Sequence, residues 1–136
     1  MEGQTFSHYR VVAHIETRSD LKKDLVAYYG TSWGAMFGSM VLAVEPRFRA
    51  AVLTDGGLTS TNAKPPEVDQ FNFAPRVTVP VLMVNGDSDF IYQLESAQKP
   101  LFNLLATPPD RKRHVVFHSG HFVINQQRSR FQPSDF

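Results

Sequence analysis

Three absences narrow what this 136-residue chain can do. It contains no cysteine, which excludes disulfides, thiolate nucleophiles and zinc sites with cysteine ligands. Its 14 basic residues nearly balance its 13 acidic ones, and no basic stripe indicates a nucleic-acid partner. The longest apolar stretch, near residues 34–44, is shorter than the ~20 residues of a membrane span. Residues 1–10 also lack an apolar leader, so we expect a cytoplasmic protein without a membrane partner.

The length and the absence of repeats predict one domain over residues 1–136. Within it we expect a leading helix and turn at 1–24, a catalytic core at 25–123 and a polar tail at 124–136. The apolar spacing in the first part predicts a helix at 5–17.

Short apolar runs alternate with helical stretches through the predicted core. The runs at 25–29, 50–54, 79–85 and 114–118 predict strands. The stretches at 33–44 and 91–106 predict helices, the second of them kinked or split at Pro100. The polar, proline-rich stretch at 58–75 predicts a long loop. Strands that alternate with helices form parallel sheets, so the fold class is α/β, with a small, mostly parallel sheet flanked by helices.

The segment from Gly30 to Gly34 has the form G-x-S-x-G. An ordinary glycine-rich turn explains that pattern alone equally well, but a strand before it and a helix after it favour a nucleophile elbow. Such a turn raises the Ser32 hydroxyl above the sheet, and a Cβ at either glycine is expected to clash with backbone. The Trp33 N–H, at the start of the helix, is then the expected oxyanion donor.

A serine nucleophile needs a base and a carboxylate that orients the base. Asp89 follows the third predicted strand and His121 follows the fourth, where open α/β sheets place their sites. The order Ser32, Asp89, His121 is that of α/β-hydrolases. Asp87 and Asp55 stay open as alternative acids.

Three segments in this order carry a family resemblance: AYYGTSWGA around Ser32, VPVLMVNGDSDF, and HSGHF. With them the sequence resembles the C-terminal half of an α/β-hydrolase, in the esterase and dienelactone-hydrolase-like branch, over roughly residues 18–123. The resemblance implies Ser32 as nucleophile, Asp89 as acid and His121 as base. It also implies that the early strands of the family's eight-stranded sheet, and the loop with the second oxyanion donor, have no counterpart in this sequence.

Without those early strands, the apolar strand at 25–29 becomes a sheet edge, which predicts self-association into a homo-oligomer. The sequence as a whole predicts a serine esterase that cleaves small carboxylic esters through an acyl-enzyme, with no cofactor and no metal. The alternative is a non-catalytic fragment, or a binding or scaffold module, that retains the hydrolase motifs.

Overall fold

A computed structural model describes residues 2–59 and 65–127, and within them the side chains of residues 10–59 and 65–125. Residues 128–136 of the predicted tail therefore lie outside the described residues, as do residues 60–64 of the predicted loop.

The described part of the chain contains four strands and five α-helices. The strands are β1 (Val26–Thr31), β2 (Phe48–Thr54), β3 (Val81–Gly86) and β4 (Lys112–Phe117). The helices are α1 (Glu2–Thr17), α2 (Trp33–Val44), α3 (Gln70–Phe73), α4 (Lys99–Leu104) and α5 (Val123–Gln127). A π-helical segment, Leu94–Gln98, leads into α4.

The strands form one parallel sheet in the order β1-β2-β3-β4. Thr31 pairs with Thr54 at one end of β1 and β2, and Gly86 pairs with Phe117 at the same end of β3 and β4. The carboxyl ends of all four strands therefore meet along one edge. The predicted α/β class, with a small parallel sheet flanked by helices, is confirmed.

Helix α2 lies close against the sheet because its contact face is built from small residues. A Cβ added at Gly38 would come within 2.7 Å of the Leu53 side chain and 3.0 Å of the Tyr28 ring. Tyr28 also donates its hydroxyl hydrogen to the Gly34 carbonyl, at 2.7 Å, which ties the first turn of α2 to β1. Strand β1 and helix α2 are thus one packed unit.

The structure moves several predicted boundaries. Strands β2 and β4 each begin two residues earlier than predicted, and the predicted long loop contains α3. The predicted helix at 91–106 starts later, at Leu94, and changes from π to α geometry at Lys99. Pro100 comes directly after that change, at the second residue of α4, and it has no N–H to continue the hydrogen bonds of the π-helical segment.

Strand β1 is one of the two edge strands of the sheet within the described residues, since it pairs with β2 alone. The exposed Tyr29 side chain lies on this strand. Self-association through the edge stays a prediction. None of the helices in the described ranges is both long enough and apolar enough to span a bilayer.

Candidate active site

Ser32 lies on a strained turn between β1 and α2. Its backbone has φ 53° and ψ −111°, a conformation that costs a non-glycine residue about 1–3 kcal/mol. Two hydrogen bonds hold the turn: the Ser32 N–H donates to the Thr54 carbonyl at 2.9 Å, and the Ser32 carbonyl accepts from the Met36 N–H at 2.8 Å. The last residue of β2 and the first turn of α2 therefore fix the direction of the serine.

The two glycines of the motif have different roles. A Cβ at Gly30 would lie 2.5 Å from the carbonyl carbon and oxygen of Gly34, and 2.8 Å from the Ala35 nitrogen. A Cβ at Gly34 would meet nothing nearer than the Tyr28 hydroxyl, at 4.0 Å. The prediction that both glycines avoid a clash is correct for Gly30 and wrong for Gly34.

This difference predicts opposite effects of two similar substitutions. Gly30→Ala should lower the free energy of unfolding by about 1–3 kcal/mol, because backbone must move to admit the new methyl group. Gly34→Ala should leave stability unchanged or raise it, since alanine favours a helix more than glycine does. Urea denaturation of both variants measures the difference, and equal losses would contradict it.

The structure brings together the three side chains that the sequence singled out. His121 Nε2 lies 2.9 Å from Ser32 Oγ, and His121 Nδ1 lies 2.7 Å from Asp89 Oδ2. Asp89 and His121 are both buried. One imidazole thus links the hydroxyl at the end of β1 to a carboxylate that follows β3.

The loop after β3 holds the Asp89 carboxylate in place. Asp89 Oδ1 accepts from the N–H groups of Ile91, at 2.8 Å, and Tyr92, at 3.1 Å. This leaves Oδ2 for the imidazole. Gln98, fully buried in the π-helical segment, closes the loop by donating to the carbonyls of Gly86 and Tyr92. Sequence reasoning missed Gln98, because nothing local marks a glutamine that bonds across a loop.

The structure directs Asp87 away from His121. Its Oδ2 lies 2.9 Å from Nδ1 of His118, whose side chain is 93% exposed. The hydrogen bond to His118 lowers the pKa of Asp87, and the hydrogen bond to Asp87 raises the pKa of His118. Asp87 and His118 therefore join the loops after β3 and β4 on the surface, beside the buried pair.

Asp55, the other alternative acid, is buried at the end of β2 with φ 55°. Its Oδ1 accepts from the Val123 N–H at 2.8 Å, which anchors the chain just after His121. Burial raises the pKa of Asp55. Its position supports the loop that carries the histidine, whereas the bond to the imidazole nitrogen belongs to Asp89.

Trp33 is the first residue of α2, so its N–H has no acceptor one turn earlier within the helix. That N–H follows Ser32 directly, at the positive end of the helix. The structure therefore places the expected oxyanion donor next to the hydroxyl. No group of three or more potential ligand side chains in the described ranges is placed to hold a metal ion.

Comparison with solved structures gives close likenesses. A zinc-bound, cold-adapted esterase from an Arctic intertidal metagenomic library has 25% identity and a TM-score of 0.74, covering 91% of this chain. An esterase of Pyrococcus furiosus has 14% identity, a TM-score of 0.75 and 92% coverage. A candidate dienelactone hydrolase of Klebsiella pneumoniae has 16% identity, a TM-score of 0.72 and 96% coverage.

The chain has part of the α/β-hydrolase fold. It spans about half the length of these proteins, 52%, 56% and 54% respectively. The resemblance to a partial hydrolase of the esterase and dienelactone-hydrolase-like branch is thereby confirmed at the level of fold. No protein-family model matches the sequence, and no curated protein matches it. Within this fold Ser32 follows β1, Asp89 follows β3 and His121 follows β4, so three strand ends meet at one site.

Proposed function

We propose that this protein is a serine hydrolase that cleaves small carboxylic esters through an acyl-enzyme. The observation that carries the proposal is the hydrogen-bonded chain from Ser32 through His121 to Asp89, with distances of 2.9 and 2.7 Å. A serine with only a structural role in a turn would not require a hydrogen bond to a buried imidazole that is itself hydrogen-bonded to a buried carboxylate. The likeness to solved esterases supports the same reaction class.

In the first half-reaction, Ser32 Oγ attacks the carbonyl carbon of the ester, and its proton passes to His121 Nε2. Asp89 keeps the Nδ1 proton of the imidazole in place and stabilises the imidazolium. The negative charge of the tetrahedral intermediate develops on the former carbonyl oxygen, where the Trp33 N–H donates to it. The C–O bond to the alcohol then breaks, and the alcohol leaves with the proton from His121.

In the second half-reaction, water takes the place of the alcohol. His121 removes a proton from the water as it attacks the acyl carbon, and the proton later returns to Ser32 Oγ as the acid leaves. Each step uses only groups of this chain, the ester and water. No redox change or cofactor enters the balance.

A fluorophosphonate probe tests the proposal by labelling an activated serine covalently. We expect one label on the wild-type protein, located at Ser32 by peptide mass spectrometry, because the Ser32 hydroxyl lies 2.9 Å from an imidazole nitrogen that can accept its proton. Ser32→Ala should abolish labelling, while Ser88→Ala, which removes an exposed serine of the loop after β3, should retain it. A folded wild-type protein that takes no label would favour the non-catalytic binding or scaffold module.

A further inference from the structure

A cavity of about 520 Å³ lies next to the proposed nucleophile. It is bordered by the start of α2, the segment after β2 and the loop that follows Asp89. Its floor is buried and apolar, made by Met36, Leu58, Tyr92 and Ala97. Small-molecule pockets have volumes of about 300–1,000 Å³, so the cavity is large enough for a ligand group well beyond an acetyl.

Two exposed aromatic side chains line the same cavity. Trp33 is 69% exposed and Phe90 is 80% exposed. Trp33 directly follows Ser32, and Phe90 directly follows Asp89, so both aromatic residues are chain neighbours of the proposed reacting groups. Large apolar side chains left in water beside a cavity are typical of a ligand-binding surface.

The described lining of the cavity provides no counter-charge for a charged ligand group. None of the described side chains that line it is charged. Hydrogen-bonding side chains line it at Trp33, Thr59, Tyr92, Gln93 and Ser96, and the Ser96 hydroxyl already donates to Gln93 at 3.1 Å. A carboxylate entering the cavity would lose its hydration without gaining a counter-charge, which is unfavourable.

We propose that this cavity is the acyl pocket, and that the preferred substrates are esters of neutral, apolar carboxylic acids with a chain of about six carbons or a phenyl ring. The inference rests on the proposed function. In the acyl-enzyme the acyl group is bonded to Ser32 Oγ. The cavity begins at Trp33, the first residue of the helix that follows Ser32. Acetyl esters would leave the cavity empty, and esters of dicarboxylic acids would bring a charge into it.

Three p-nitrophenyl esters with the same leaving group test the proposal: the acetate, the hexanoate and the adipate monoester. The last two have six-carbon chains that differ at the far end, methyl against carboxylate. We expect kcat/KM for the hexanoate to exceed that for each of the others by about tenfold or more, since four buried methylenes contribute to binding. An acetate rate equal to or above the hexanoate rate would overturn the proposal, as would equal rates for hexanoate and adipate.

Two pairs of variants test where the acyl chain binds. Ser96→Phe, which fills the cavity, should lower the hexanoate-to-acetate ratio about tenfold. Phe90→Ala, which removes part of the rim, should lower the ratio in the same direction. Their matched controls, Ser19→Phe on a remote exposed turn and Phe71→Ala at an exposed phenylalanine outside the cavity lining, should leave the ratio unchanged.

The outcomes distinguish a failure of the acyl-pocket proposal from a failure of the proposed hydrolase function on which it rests. If no ester is turned over above the rate of Ser32→Ala, the proposed function fails. If turnover depends on Ser32 but the ratio is the same in Ser96→Phe and Ser19→Phe, the enzyme is a hydrolase and the acyl-pocket assignment is wrong.

Discussion

His121→Ala and Ser32→Ala are each expected to lower kcat for p-nitrophenyl hexanoate by about 10⁴-fold or more, because the hydroxyl is a weak nucleophile without the imidazole that accepts its proton. His121 Nε2 lies 2.9 Å from Ser32 Oγ, so removing either group breaks the same proton transfer. Steady-state kinetics with each variant, after a check of folding by circular dichroism, measures the loss.

The double variant supplies the sharper test. Groups that act as one unit have non-additive effects, so the Ser32→Ala, His121→Ala protein should be no slower than either single variant. A product of the two single losses would mean that the residues contribute independently, and the acyl-enzyme mechanism would then be wrong.

Asp89→Asn should lower kcat by about 10⁴-fold while the fold is preserved. Asp89 Oδ1 already accepts two backbone N–H groups, so the asparagine oxygen would keep that position and its amide nitrogen would face His121 Nδ1. An amide donor there favours the imidazole tautomer whose proton is on Nε2. That proton would point at Ser32 Oγ, and the imidazole could no longer accept the serine's proton.

Asp87→Asn is the matched control for this prediction, made two residues away in the same loop. Its partner His118 is exposed, and exposed ion pairs contribute little, so we expect kcat to change by less than about threefold. A loss in Asp87→Asn that equals or exceeds the loss in Asp89→Asn would assign the acid to Asp87 and contradict the geometry.

The choice between these two carboxylates shows where sequence reasoning reaches its limit. Both follow β3, so their place at the carboxyl edge of the sheet is set by local pattern and parallel topology. Which of them meets the imidazole depends on the conformation of the loop. Gln98, in the π-helical segment that follows the loop, fixes this conformation by donating to two carbonyls. Such bonds form between residues that no short-range pattern relates, and the same holds for Asp55, whose partner is Val123.

Local sequence patterns were sufficient to predict the elements whose secondary-structure preference agrees with the packing around them. Helix α2 was predicted with its observed bounds, because a run of small and apolar residues begins after the turn at Ser32 and ends before Pro46. The predicted start of the helix at 91–106 was wrong because Gln93 has an extended backbone, with φ −62° and ψ 141°, so the helical geometry begins only at Leu94.

By itself, the sequence determined the α/β class, the strand–turn–helix unit around Ser32 and the chain order of the three candidate residues, since each depends on the hydrophobic period and on turn chemistry within a few neighbours. The tertiary structure alone decided that Asp89 rather than Asp87 meets His121, that Gly30 and not Gly34 requires the absence of a Cβ, and that a cavity with no charged side chain in its described lining begins at Trp33, the residue after Ser32. Those features depend on distances between segments far apart in the chain, which exist only once the sheet and its loops have packed together.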